Sequence, residues 1–428
     1  MVCGGLSGMV GLGDICLIKR AGHNLDEHPA GLWGHDEPLL GEVVAVDEGG
    51  VHLLPFSELD GVGLGARVTP LCGLQRVRPG PDWIGRVLDP LARPLDDGPP
   101  LPPGPADYPL LARPVPAHRR QGFGSRLDLG VRALNLFTPC CRGQRMGIFA
   151  GSGVGKSTLM SMLARHSDAD VLVLGLIGER GHEVNALLHE GLGAGGRGRS
   201  VVVVATSDMP AMLRRRAAQL TLAVAEALRD QGLAVLCLID SVTRFAMALR
   251  EIHLAAGEPP TSKGYPPSVF AELPRLLERA GPGTDAGSIT GLFTVLVEGD
   301  DLNDPIADAV RAILDGHIVL DRRIAETGRF PALDVLRSLS RSVPGAYAAE
   351  ERPLVERARR LIRAYAETAE LIQLGAYRAG SDPLIDAAIA AQPALEAVLA
   401  QAIDERSALA DDFQRLAAAL GEASGVAA

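Results

Sequence analysis

At 428 residues, with 47% hydrophobic and 22% charged side chains, the chain has the size and composition of a globular protein of two or three domains. A net charge of −10 argues against a general nucleic-acid binder, which needs a basic face to neutralise phosphates. No run of eighteen apolar residues is present to span a bilayer, and the opening stretch Met1–Val10 lacks the positive charge and continuous apolar core of a secretion leader.

Residues 1–80 carry short apolar runs separated by Gly and Pro, among them Gly41–Val46, Gly50–Pro55 and Ala66–Leu71. Runs of this length predict a small N-terminal β-barrel or sandwich. Residues 81–129 are Pro-rich, as in Pro99–Pro103, and read as an extended connection into the core, with Gly85–Pro90 able to add a local strand. Over 130–349 strands and helices alternate. Val171–Ile177, Ser200–Thr206, Ala234–Asp240 and Thr290–Val297 are near-continuous apolar runs, suited to a parallel sheet covered on both faces. Met209–Gln231 and Ser268–Ala280 have helical patterns between them. Residues 350–428 are helical throughout, Ala-rich and punctuated by Pro383 and Pro393. The fold class is α/β: a nucleotide-binding core between a small β domain and a helical one. The six cysteines (Cys3, Cys16, Cys72, Cys140, Cys141, Cys237) show no metal-like spacing and suit a reduced, cytosolic setting; Cys237 reads as a core residue and the Cys140–Cys141 pair as structural.

The central stretch is Ala150–Thr158. It fits the phosphate-cradling loop pattern, with Ala150 where the strict pattern has Gly. Gln144–Ala150 reads as the strand before it and Ser157–Arg165 as the helix after it, which is the context the motif requires. Gly151, Gly153 and Gly155, with Ser152 and Val154, let successive N–H groups point at phosphate oxygens. Lys156 then reaches the β/γ-phosphates, Ser157 offers a hydroxyl to Mg²⁺, and Thr158 continues the anion-favouring helix start.

Two further strand ends carry acid groups. Leu236–Asp240 is four apolar residues closing on Asp240, the form of a carboxylate that orders a Mg²⁺ shell, although an Asp can also cap the next turn there. Glu179 and Arg180 follow the Val171–Ile177 run, where Glu179 could hydrogen-bond an attacking water and Arg180 offset γ-phosphate charge; Glu-Arg is also a common surface pair.

Five stretches then follow in order: Gly178–Val184, Ile239–Phe245, Ala256–Phe270, the acidic run 298–308 and Leu314–Arg322. Together they resemble the flagellum-specific and type III secretion ATPase family, homohexameric relatives of the catalytic β subunit of rotary ATP synthases. The resemblance covers Gly130 to Val343 and again Gly375–Pro383. It implies a RecA-like P-loop core that hydrolyses ATP with Mg²⁺ to energise protein export, with flagellar export the first reading and virulence secretion the alternative. It implies roles for matching positions: Lys156 and Ser157 on phosphate and metal, Glu179 on the hydrolytic water, Arg180 on the γ-phosphate, Asp240 in the metal shell and Arg244 as an active-site arginine. Arg341, by its residue type a surface arginine, matches the finger inserted into a neighbouring subunit's site. Phe330 matches the aromatic that packs on adenine, where the family usually has Tyr.

The same resemblance implies partners: other copies of the chain, a stator dimer, a central stalk, export substrates and chaperones, and a membrane export gate reached from the cytoplasm. The loop Ala256–Ser268, stiffened by paired prolines, is expected to line a hexamer pore, with Lys263 and Tyr265 exposed. No amphipathic N-terminal helix for stator docking is readable. Two other functions compete. A rotary proton or sodium ATPase subunit is disfavoured because Lys156, Glu179, Asp240 and Arg341 all lie in one chain. An RNA translocase needs aromatic and basic residues on the barrel, and 1–80 offers only Trp33 and Phe56 as stacking candidates.

Overall fold

Strand β3 (Leu39–Asp47) buries most of its first half and frees its end, so it suits a sheet with one well-covered part. It sits in a five-stranded antiparallel sheet with β1 (Val2–Cys3), β2 (Ile15–Ile18), β4 (Gly50–Pro55) and β5 (Val68–Leu71), in the order β1-β4-β3-β2-β5. Among the described residues the barrel anticipated from the sequence is a half-barrel sheet, with β1 and β5 at separate edges. One apolar cluster unites Cys16, Val43, Val51 and Leu53; a second joins Ile15 and Phe56 to Met212 and Leu213 of the core. This computed structural model describes residues 1–421 other than 7, 20–38, 72, 298, 300, 302, 303 and 344. Trp33, Cys72 and positions Glu298, Asp300, Leu302 and Asn303 of the acidic run lie outside the described residues.

Among the described residues the core is a nine-stranded sheet. In chain order its elements are β6 (Val87–Leu88), β7 (Arg145–Ala150), α1 (Lys156–His166), β8 (Val171–Glu179), β9 (Ser200–Thr206), α2 (Ala211–Arg229), β10 (Ala234–Asp240), α3 (Val242–Ala255), α4 (Pro267–Leu277), β11 (Ser288–Leu296), α5 (Pro305–Ile313), β12 (Gly316–Val319) and β13 (Leu339–Ser340). The spatial order is β13-β12-β7-β11-β10-β8-β9-β6, with Gly281–Pro282 paired beside β11. Strands β6 to β12 run parallel and β13 returns antiparallel. All nine residues of β8 are buried, as a strand covered on both faces demands. The Gly85–Pro90 run supplies edge strand β6, so the Pro-rich connection is stitched to the core.

Beyond the sheet, α6 (Glu351–Gln373), α7 (Pro383–Leu399) and α8 (Leu409–Ala419) pack together. Their buried residues Leu354, Leu361, Leu395 and Phe413 belong to the same apolar cluster as Leu159 of α1 and Ile148 of β7. Pro383 opens α7, where Asp382 accepts a hydrogen bond from the Leu384 N–H at 2.7 Å. Pro393, expected at a break, lies inside α7; Leu395, Val398 and Leu399 beyond it are buried and hold the segment on the core.

Among the described residues no helix is long and apolar enough to cross a membrane. Cys140, Cys141 and Cys237 are buried and free, as expected of structural cysteines, and burial pushes the Cys237 thiol up to about 12.

Candidate active site

Parallel strands deliver their C-terminal ends to one edge of the sheet, where neighbouring helix starts leave N–H groups unpaired. Three of the expected groups meet there: the loop after β7, Glu179 at the end of β8 and Asp240 at the end of β10. In the loop Gly153 and Gly155 have φ of 76° and 99°, which other residues rarely adopt, and α1 begins at Lys156. Gly151 and Val154 are buried, while Ser152, Gly153 and Ser157 are exposed. The Arg322 guanidinium donates to the Ser152 carbonyl at 2.9 Å and ties the loop to the segment after β12.

Lys156 is the hub. The residue is 8% exposed, and its ammonium donates to Glu179 Oε1 at 3.2 Å and to Asp240 Oδ1. Burial works against its charge, but the attraction of Asp240 and Glu179 outweighs it and raises its pKa. Glu179 is pushed up to about 7, first by burial and then by the Asp240 charge, with Lys156 opposing; a hydrogen bond with Glu183 adds to the rise. A carboxyl poised near neutrality can exchange a proton with a bound water. Thr294 of β11 donates to Asp240 Oδ1 at 2.6 Å. Neither Thr294 nor Arg322 stood out in the sequence, because a Thr in a strand and an Arg on a short helix are commonplace there.

The remaining predicted residues fall into three places. Arg180 is exposed directly after Glu179. Arg244 follows the cap Ser241 on α3; its aliphatic stem lies over Gly178, where a Cβ would come within 2.8 Å, and its buried Nε has no hydrogen-bond partner among the described residues. Phe330 lies against the loop: a Cβ added at Gly155 would meet its ring at 3.5 Å, and the ring stays 41% exposed. The Gln401 backbone N–H donates to the Phe330 carbonyl at 2.8 Å.

Arg341 is not with the others. It follows β13, and its N–H donates at 2.9 Å to Asp315, the residue whose own N–H bonds to Arg145 at the start of β7. The loop lies at the opposite end of β7, five residues on, so roughly 17 Å of strand separates Arg341 from the glycine-rich loop of its own chain. It is exposed at that edge.

The loop Ala256–Ser268 contains one short 3₁₀ turn at Ser262–Gly264. Lys263 is exposed as expected, but Tyr265 is not: it is 7% exposed, edge-on to Phe270 and beneath the Arg250 guanidinium. An aromatic ring with two such neighbours gains more from burial than from facing solvent.

Comparison with known proteins bears on this geometry. Residues 130–340 match the ATP synthase alpha/beta family, nucleotide-binding domain, and residues 347–418 match the T3SS EscN ATPase C-terminal domain. The flagellum-specific ATP synthase of Caulobacter vibrioides is 57% identical over 386 residues, covering 89% of this chain and 87% of that protein. The type 3 secretion system ATPase of Xanthomonas euvesicatoria is 45% identical over 414 residues, 97% and 90% of the two chains.

The chain belongs to the flagellum-specific and type III secretion ATPase family.

It is an ATPase with the family's α/β fold. Among solved structures, the assembled ATPase EscN of the enteropathogenic E. coli type III secretion system aligns with a TM-score of 0.88 at 40% identity, covering 96% of this chain and 95% of that one. EscN in complex with its central stalk EscO aligns at 0.83 and 41% identity, covering 90% and 93%.

Proposed function

We propose that this ATPase works as a homohexamer that energises protein export through a flagellar apparatus, with each active site completed by a neighbouring subunit. The observation that carries the reading is the division of the machinery between opposite ends of one sheet: Lys156, Glu179 and Asp240 at one, Arg341 at the other. A closed ring of identical subunits brings such ends together in every interface. The reading treats 1–80 as the N-terminal domain, 81–129 as connection, 130–349 as core and 350–428 as the helical domain.

ATP is the substrate. On its arrival Lys156 leaves the two carboxylates for the β/γ-phosphates, and Glu179, freed of that partner, accepts a hydrogen bond from the attacking water. Arg180 and Arg244 of the same subunit and Arg341 of the next offset charge on the γ-phosphate, and Phe330 stacks on the adenine. The donor set fits Mg²⁺: Ser157 is an exposed hydroxyl in the first turn of α1 and Asp240 a carboxylate bonded to the neighbouring Lys156, both hard oxygen ligands. Bound Mg²⁺ supplies charge neutralisation on the phosphate oxygens.

The partners that follow are a central stalk, by analogy with EscN and EscO, a stator dimer, export substrates with their chaperones, and an export gate at the inner face of the cytoplasmic membrane. Flagellar export is preferred over virulence secretion because identity is 57% to a flagellum-specific relative against 45% to a type 3 secretion ATPase. Deleting the coding sequence should abolish secretion of filament proteins and motility, and a Lys156→Ala copy should fail to restore them. Retained motility with lost effector secretion would move the assignment to the virulence apparatus.

A further inference from the structure

We infer that Thr294 is a positioning residue that keeps the Asp240 carboxylate oriented while Lys156 shuttles between carboxylates and phosphate. In the parallel register β10 and β11 place Ile239 beside Phe293, so Thr294 stands abreast of Asp240. The Thr294 side chain is fully buried in an otherwise apolar stretch, Leu292 to Val295, where a hydroxyl is costly unless bonded. Its hydrogen goes to Asp240 Oδ1 at 2.6 Å, the closer of its two acceptors, the Ile239 carbonyl lying at 3.3 Å.

Lys156 donates to that same Oδ1, and Asp240 Oδ2 receives no hydrogen bond from the described residues. Two donors on one oxygen fix the carboxylate plane and leave the other oxygen for a ligand. When phosphate draws Lys156 away, Thr294 is the contact that remains. A side chain without the hydroxyl would leave Oδ1 buried and unmet at that moment, and the carboxylate would turn to find another donor. Thr294 touches neither nucleotide nor water in this scheme; it acts through Asp240.

The inference rests on the reading of Asp240 as a metal-shell carboxylate, and the test separates the two. Binding of a fluorescent ATP analogue to the full chain is titrated with and without Mg²⁺, alongside kcat and KM, for wild type, Thr294→Val, Thr294→Ser and Asp240→Asn. Thr294→Val should keep Mg²⁺-free binding, lose about tenfold of the gain that Mg²⁺ gives to binding, and lower kcat more than it raises KM; Thr294→Ser should restore all three. Wild-type Mg²⁺ dependence in Thr294→Val, or equal damage in the Val and Ser variants, overturns the inference. If Thr294→Val does not fold, Thr294→Ala takes its place with the same two criteria. Mg²⁺ dependence unchanged in Asp240→Asn would instead remove the metal-shell reading itself.

Discussion

At the scale of single residues, the site stores its charge in a closed triangle before substrate arrives. Lys156 satisfies Glu179 and Asp240 together, and burial of all three makes each depend on the others. The consequence is measurable at Glu179, which is pushed up to about 7 chiefly by burial and by the Asp240 charge. In the proposed role Glu179 accepts a hydrogen bond from water and works as the anion, so kcat/KM, which reports the free enzyme, should fall as pH drops through about 7. A profile flat down to the ordinary carboxylate range would contradict this. The sign for stability runs the other way. The folded, nucleotide-free protein holds this proton up to about 7 whereas the unfolded chain releases it at the usual carboxylate pH, so the group favours the fold on the acid side and loses that contribution as pH rises through 7. Saturating nucleotide, proposed to draw Lys156 away, should alter this dependence in a thermal-shift series across pH.

Among the elements, what was legible in the sequence divides cleanly by the range of the interaction. Strands β8, β9 and β10 were readable because burial on both faces leaves runs such as Ser200–Thr206 no polar side to show. The phosphate loop was readable because its glycines meet a local backbone demand at Gly153 and Gly155. Glu179 and Asp240 stand at strand ends, where position alone suggests a site, but their shared tie to Lys156 spans 23 and 84 residues and needs the fold. Tyr265 misled for the same reason: a tyrosine in a Pro-rich loop looks exposed until Arg250 and Phe270 are placed beside it.

Gln401 is the clearest such long-range element contact. It is 5% exposed after the end of α7; its amide accepts from the Arg132 N–H at 2.8 Å and donates to the Gly130 and Glu405 carbonyls, each at 2.8 Å. Its own N–H holds the Phe330 carbonyl, so one residue joins the helical domain to the aromatic over the loop. Gln401→Ala leaves two buried backbone groups and a half-buried one without their partner and should cost about 3 kcal/mol, read by chemical denaturation. Phe330→Ala should raise KM with little change in stability, and Phe330→Tyr should keep the wild-type value; if the alanine variant leaves KM unaltered, the aromatic does not touch the base.

For the whole molecule, the length of one strand decides whether hydrolysis belongs to a chain or to an assembly. Arg341 lies about 17 Å of strand away from the loop that holds Lys156, so no side-chain motion brings it to its own site. Specific activity should therefore rise with protein concentration. Two inactive variants then become a decisive pair. Lys156→Ala removes the proposed phosphate contact and keeps the arginine; Arg341→Ala does the reverse, and it should bind nucleotide nearly as wild type while turning it over about 10³-fold or more slowly. In rings assembled at random from equal amounts, about a quarter of the interfaces pair an intact Lys156 with an intact Arg341 from the next subunit. The mixture should recover a clear fraction of wild-type ATPase activity that neither variant shows alone, and only after subunits have exchanged. Equal silence in a mixture shown to form mixed rings would mean that Arg341 is not donated across the interface, and the division of labour between the two ends of the sheet would have to be abandoned.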